Sequence, residues 1–173
     1  EDRFIRPNLL TDISRENKKA LDYFSEWCAD NKKNHLTILG DLGTGKSTLA
    51  TFLSWQLGKS YAHNPLRHPA PVLIELKNVR KAVDLPSIII RHFRDMGIPD
   101  VNYSRFEYLV QKGKIILFFD AFDEMAEKIE WDTTKENFRE LRSIVREDAK
   151  VILTCRTHFF INREEQATIL GNA

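Results

Sequence analysis

Eight residues, Gly40-Asp41-Leu42-Gly43-Thr44-Gly45-Lys46-Ser47, constrain this chain more than any other stretch. They satisfy the pattern G-x-x-x-x-G-K-[ST], which at ordinary glycine usage arises by chance in on the order of one chain in a hundred of this length. The flanks narrow it further. His35 to Leu39 reads as a short strand running into Gly40, and Leu49, Phe52, Leu53 and Leu57 give a helical stripe that fades near Gly58. Between a strand and a helix, glycines let the backbone curl so that successive N–H groups converge on an anion. The helix N-terminus adds partial positive charge at the same point. Lys46 is then a mobile point charge for β- and γ-phosphates and the Ser47 hydroxyl a ligand for Mg²⁺, so Gly40 to Thr48 is the expected nucleotide-binding segment.

A second stretch, Ile115 to Glu124, reads IILFFDAFDE. Its continuous apolar run predicts a central strand buried on both faces. A carboxylate at the end of such a strand is costly unless it meets a cation, which assigns Asp120 to the Mg²⁺ hydration shell. Asp123 and Glu124 follow, and one of them is positioned to orient or deprotonate an attacking water.

The rest of the chain predicts an α/β domain. Residues 1–12 form a lead-in, a helix spans Ser14 to Ala29, and residues 59–71, with three prolines, form a loop. Val72 to Leu76 and Val151 to Leu153 read as strands. Asp84 caps a helix with Pro86 in its first turn, and capping boxes Ser104/Glu107 and Thr133/Glu136 open two more. With 26 Lys+Arg against 25 Asp+Glu, the net charge of +1 gives no footprint for nucleic acid or an acidic membrane. Two cysteines, Cys28 and Cys155, are too few for a disulfide framework and point to reduced thiols in a cytoplasmic protein. This stretch shows no signal-peptide pattern, which says little of a longer parent protein, and no apolar run in it is long enough to span a membrane.

Taken together, the phosphate loop, the D-small-x-D-E pattern at Asp120, Ala121, Asp123 and Glu124, and the strand VILTCR ending at Arg156 resemble the NACHT family of STAND nucleotide switches. The resemblance runs from about residue 35 to residue 160. It implies a three-layer P-loop NTPase fold with helices on both faces and a mostly parallel sheet in the order 35–39, 151–155, 115–120, 72–77. It further implies that Arg156 is directed at the terminal phosphate, a geometry suited to telling ATP from ADP. Phe4, Ile5, Arg6 and Pro7 occupy the position that approaches the nucleotide base. Cys155, Thr157 and His158 depart from the Ser or Thr and the Pro common there in animal members.

The domain organisation this implies is a lead-in and helix over 1–34, followed by a nucleotide-binding core over 35–173 cut from a longer multidomain protein. Its partners are ATP or ADP, downstream helical and winged-helix segments, and a nucleotide-dependent homo-oligomer. The leading function is a slow Mg²⁺-dependent ATPase acting as a switch in signalling or innate defence. Two alternatives stand beside it: a scaffold that binds nucleotide without hydrolysing it, and a P-loop kinase for a nucleoside or other small molecule. The paired Asp123 and Glu124 suit water better than a second substrate, and no N-K-x-D box is present to read guanine.

Overall fold

A run of five apolar residues, Ile115 to Phe119, is stable as a strand only when both of its faces are covered, and in the computed structural model both are. The structure describes residues 8–10, 17–78, 84–126 and 131–157, and the chain divides into two units, Glu1–Lys33 and Asn34–Ala173. Asn34 belongs to the second because its carbonyl accepts from the Val151 N–H at 2.9 Å and its Nδ2 donates to the Glu147 carbonyl at 2.6 Å.

In the first unit, β1 (Asn8–Leu10) pairs antiparallel with β2 (Asn17–Lys19), and α1 (Ala20–Ala29) follows directly. The helix expected from Ser14 therefore starts six residues late. Residues 14–19 contain no apolar side chain that a helix could bury, so the backbone of Asn17–Lys19 pairs as a strand instead. Ala20, Phe24 and Trp27 are the buried stripe, with Phe24 and Trp27 stacked at a centroid distance of 6.1 Å.

The second unit runs β3 (His35–Leu39), α2 (Lys46–His63), β4 (Ala70–Glu75), a 3₁₀ turn (Leu76–Asn78), α3 (Leu85–Asp95) and α4 (Tyr103–Gln111). It continues with β5 (Ile115–Asp120), α5 (Phe122–Ala126), α6 (Trp131–Ser143) and β6 (Lys150–Cys155). The sheet has the expected order, β3-β6-β5-β4, with every neighbouring pair parallel. Ile115, Leu117 and Phe119 of β5 join Val151, Leu153 and Cys155 of β6 in one core with α3, α4 and α6. Alternate residues Ile116, Phe118 and Ile152 are buried on the opposite face. There α2 packs through Leu49, Ala50 and Leu53. The result is a P-loop-type α/β layer structure with helices on both faces.

Several boundaries differ from expectation for identifiable reasons. The fourth strand occupies 70–75 rather than 72–77, and Leu76 turns into the 3₁₀ segment. Pro71 is tolerated within it because β4 is an edge strand. Helix α2 passes through Gly58 to His63 and ends where the Asn64 N–H bonds the Ser60 carbonyl. The cap of α4 is Asn102, not Ser104: its side chain accepts from the Arg105 N–H at 3.0 Å. Helix α6 already contains Trp131, so Thr133 lies inside it rather than at its start. Asp84 caps α3 as expected, accepting from the Ser87 N–H at 2.8 Å. That helix closes at Gly97 (φ 82°), whose N–H and that of Ile98 bond the carbonyls of Arg94 and Phe93.

Candidate functional site

Parallel strands present their C-terminal ends on one edge of the sheet, and ligands of open α/β folds bind outside that edge. Each strand end in this domain carries one element of the site. After β3, the loop turns at Gly43 (φ 78°) and Gly45 (φ 84°), a conformation that L side chains rarely adopt. At Gly40 the need for glycine is steric, since a Cβ there would lie 2.7 Å from the Thr44 hydroxyl oxygen. That hydroxyl donates to the Asp41 carbonyl at 2.8 Å and closes the loop on itself.

Helix α2 then begins with no side-chain cap, because Gly45 occupies the capping position. Its first N–H groups point along the helix axis without the usual side-chain acceptor, the arrangement that favours an anion. Lys46 folds back, its Nζ donating to the carbonyls of Gly40 at 2.7 Å and Asp41 at 3.0 Å. Asp41, Leu42, Gly43, Thr44, Gly45, Ser47 and Thr48 are exposed, Leu42 at 79%.

The acidic side is built differently. Asp120 ends β5 on the face covered by α2, and it is only 7% exposed. The Thr154 hydroxyl, near the end of β6 and 1% exposed, donates to Asp120 Oδ1 and accepts from the Ala121 N–H at 2.9 Å. One threonine thus orients the carboxylate and satisfies the backbone group after it. Ala121 takes a left-handed φ of 60° between β5 and α5, a conformation that costs a non-glycine residue on the order of 1 kcal/mol.

Asp123 and Glu124 fall in the first turn of α5 but in unlike environments. Asp123 is 3% exposed and gripped by Arg156, whose backbone N–H donates to Oδ1 at 3.1 Å and whose Nε meets Oδ2 at 2.7 Å. Glu124 is half-buried. Cys155, between Thr154 and Arg156, is buried, and that burial pushes its thiol up to about 12. It is a packing residue, inert as a nucleophile.

The structure therefore brings Lys46, Ser47, Asp120, Asp123, Glu124 and Arg156 to the same edge of one sheet. Phe4, Ile5, Arg6 and Pro7 lie outside the described residues. Thr154 was not singled out from sequence; its signal was a polar residue near the end of an otherwise apolar strand, VILTC. Glu75 and Lys77 were also missed. Glu75 is in register with Asp120, and Lys77 Nζ lies 2.6 Å from Glu75 Oε2.

Among the described residues, no group of three or more His, Cys, Asp or Glu side chains is arranged to hold a metal ion. The donors at this edge are one oriented carboxylate, Asp120, and one exposed hydroxyl, Ser47. That sparse oxygen set fits Mg²⁺, which keeps several waters and takes further ligands from phosphates. No helix among the described residues is long and apolar enough to cross a membrane.

Sequence comparison agrees with this geometry. The family model described as the NACHT domain matches residues 34–168. The chain is 34% identical over 153 residues to an uncharacterized WD repeat-containing protein of Nostoc sp. (strain PCC 7120 / SAG 25.82 / UTEX 2576). That match covers 86% of this chain and 10% of the relative, so the chain spans a tenth of that protein's length. Among solved structures, one of C. elegans PCH-2 aligns over 86% of this chain and 39% of its own, with 13% identity and a TM-score of 0.47. With a phosphate loop, a buried strand-end aspartate and a family match across most of its length, this chain belongs to the NACHT domain family of nucleotide-binding P-loop NTPases.

Proposed function

We propose that this domain is a Mg²⁺-dependent switch that binds ATP, hydrolyses it slowly to ADP, and passes its nucleotide state to the rest of a signalling or defence protein. The observation that carries the reading is the pairing of two strand ends. Lys46 opens α2 beyond β3, Asp120 ends β5 on the face that α2 covers, and Thr154 from the strand between them fixes the aspartate. In this reading the N–H groups of Gly43 to Thr48 cradle the phosphates, and Lys46 leaves its own loop carbonyls to meet them. Ser47 and Asp120 hold the metal, which when bound neutralises charge on the β- and γ-phosphates.

Glu124 is the proposed base. Asp123 is committed to Arg156 by two contacts, and a carboxylate so engaged is poorly placed to accept a proton from water. Arg156, which follows β6 and meets Asp123 through Nε, is assigned to the terminal phosphate. Base and ribose contacts are assigned to helical and winged-helix segments of a longer protein. A nucleotide-dependent homo-oligomer and a cytoplasmic location complete the proposal. The test is single-turnover hydrolysis with protein in excess over labelled Mg-ATP, alongside calorimetry with Mg-ADP. Binding with conversion to ADP and phosphate is expected. Binding without conversion would reduce the domain to a nucleotide scaffold, and phosphate transfer to an added nucleoside would make it a kinase.

A further inference from the structure

Four carboxylates, Glu75, Asp120, Asp123 and Glu124, gather at the ends of β4 and β5 and in the first turn of α5. Like charges so close repel, and an ordered site needs cations between them. Asp123 has Arg156. At the other end stands Lys77, on the 3₁₀ turn that continues β4. Leu76 is fully buried and anchors that turn, which packs directly against α5, the helix carrying Glu124. Glu75 is in register with Asp120, and its Oε2 holds Lys77 Nζ at 2.6 Å. The ammonium group is thus paired with Glu75, on the strand next to β5 and across the sheet from the phosphate-loop strand. After Glu75, which raises the Lys77 pKa most, the acids that raise it further are Glu124 and Asp120.

We infer that Lys77 is a positioning residue for Glu124: held by Glu75, it supplies the counter-charge that keeps the water-activating carboxylate turned toward the site instead of repelled from Asp120. The inference rests on the ATPase reading above and adds to it a residue from the edge strand farthest from the phosphate loop. Lys77 is solvent-accessible, so replacing it leaves the core intact. It acts on the rate and not on nucleotide affinity, because its ion pair is with Glu75, which has no part in the proposed phosphate and metal contacts.

The experiment compares wild type, Lys77→Met and Lys77→Arg in single-turnover hydrolysis of Mg-ATP, with Mg-ADP calorimetry and thermal melting on each. Lys77→Met is expected to slow hydrolysis about tenfold, a part of the 10²–10⁴ that a positioned base supplies. Its Mg-ADP affinity and melting temperature stay at wild-type values. Lys77→Arg keeps the charge and recovers most of the rate. A Lys77→Met protein as fast as wild type overturns the inference. So does one whose rate and ADP affinity fall together, or a loss of rate that Lys77→Arg does not repair. A wild-type chain that binds Mg-ATP and leaves it intact overturns the ATPase reading and this inference with it, whereas an active wild type with an indifferent variant overturns the inference alone.

Discussion

The two sides of the site solve the same electrostatic problem by opposite means. The phosphate loop is exposed and made of backbone: its shape comes from glycines at φ 78° and 84° and its charge from the uncapped start of α2. The strand-end acids are buried and made of side chains, with Asp120 held by Thr154 and Asp123 by Arg156. An exposed backbone cradle adapts to its ligand and contributes little to folding. A buried carboxylate network is tied to the core, because any unsatisfied member costs stability directly. Substitutions on the loop side should therefore move ligand affinity alone, and those within the buried network of Asp120, Thr154, Asp123 and Arg156 should move affinity and stability together.

The largest expected effect lies outside that buried network, in Glu124→Gln at a half-buried position. An amide positions water but takes no proton, so hydrolysis should fall by about 10²–10⁴ while Mg-ATP binding is retained. Single-turnover kinetics reads this, and a rate equal to wild type would move the base elsewhere. Lys46→Ala comes next. Charge-assisted contacts worth about 1.5–3 kcal/mol each are lost, which predicts weakening of nucleotide binding by roughly two orders of magnitude with the melting curve unchanged. A Lys46→Ala protein that unfolds would show that the loop is structural and erase the distinction between the two sides.

Thr154→Val tests the acidic side for the linked effect. The change keeps the shape but leaves the Ala121 N–H unpaired and Asp120 without its donor, at a cost of about 1–3 kcal/mol in urea unfolding. The Mg²⁺-dependent part of ADP binding should weaken in parallel, and a loss of affinity without loss of stability would break the comparison. The smallest effect concerns His35, which starts the strand leading to the loop. Burial, reinforced by Arg142, lowers its pKa from 6.5 to about 4. The unfolded state then binds more protons between those values, so this stability is complete above pH 6.5 and is lost as pH falls toward 4. Stability at pH 5 should be about 1–2 kcal/mol below that at pH 7 from this group, and His35→Gln should remove that share of the pH dependence.

What the sequence made legible follows the same division. The phosphate loop was readable because its demands fall on one short segment: Gly40, Gly45, Lys46 and Ser47 are fixed by local backbone geometry and ligand chemistry. Asp120 was readable because a charge that closes the apolar run IILFF is costly unless a cation meets it. The sheet order was implied by family resemblance, not by spacing. Thr154 stayed hidden because its partners, Asp120 and Ala121, are 34 and 33 positions away, and only the pairing of β5 with β6 brings them together. The commitment of Asp123 to Arg156 was invisible for the same reason. Local misses had local causes: Asn102 outranks Ser104 as a cap because the chain enters α4 one residue after it, and Gly58 does not end α2 because one glycine inside a helix costs only about 1 kcal/mol.

The alternation along β5 carries a consequence for how this segment tolerates change. Ile115, Leu117 and Phe119 share the core with α3, α4 and α6, whereas Ile116, Phe118 and Asp120 belong to the face that α2 covers. Loss or gain of a single codon anywhere within residues 115–119 would rotate every later side chain to the wrong face, sending Asp120 into the hydrocarbon interior. A frame-preserving indel here is thus lethal to the fold before it is lethal to the chemistry.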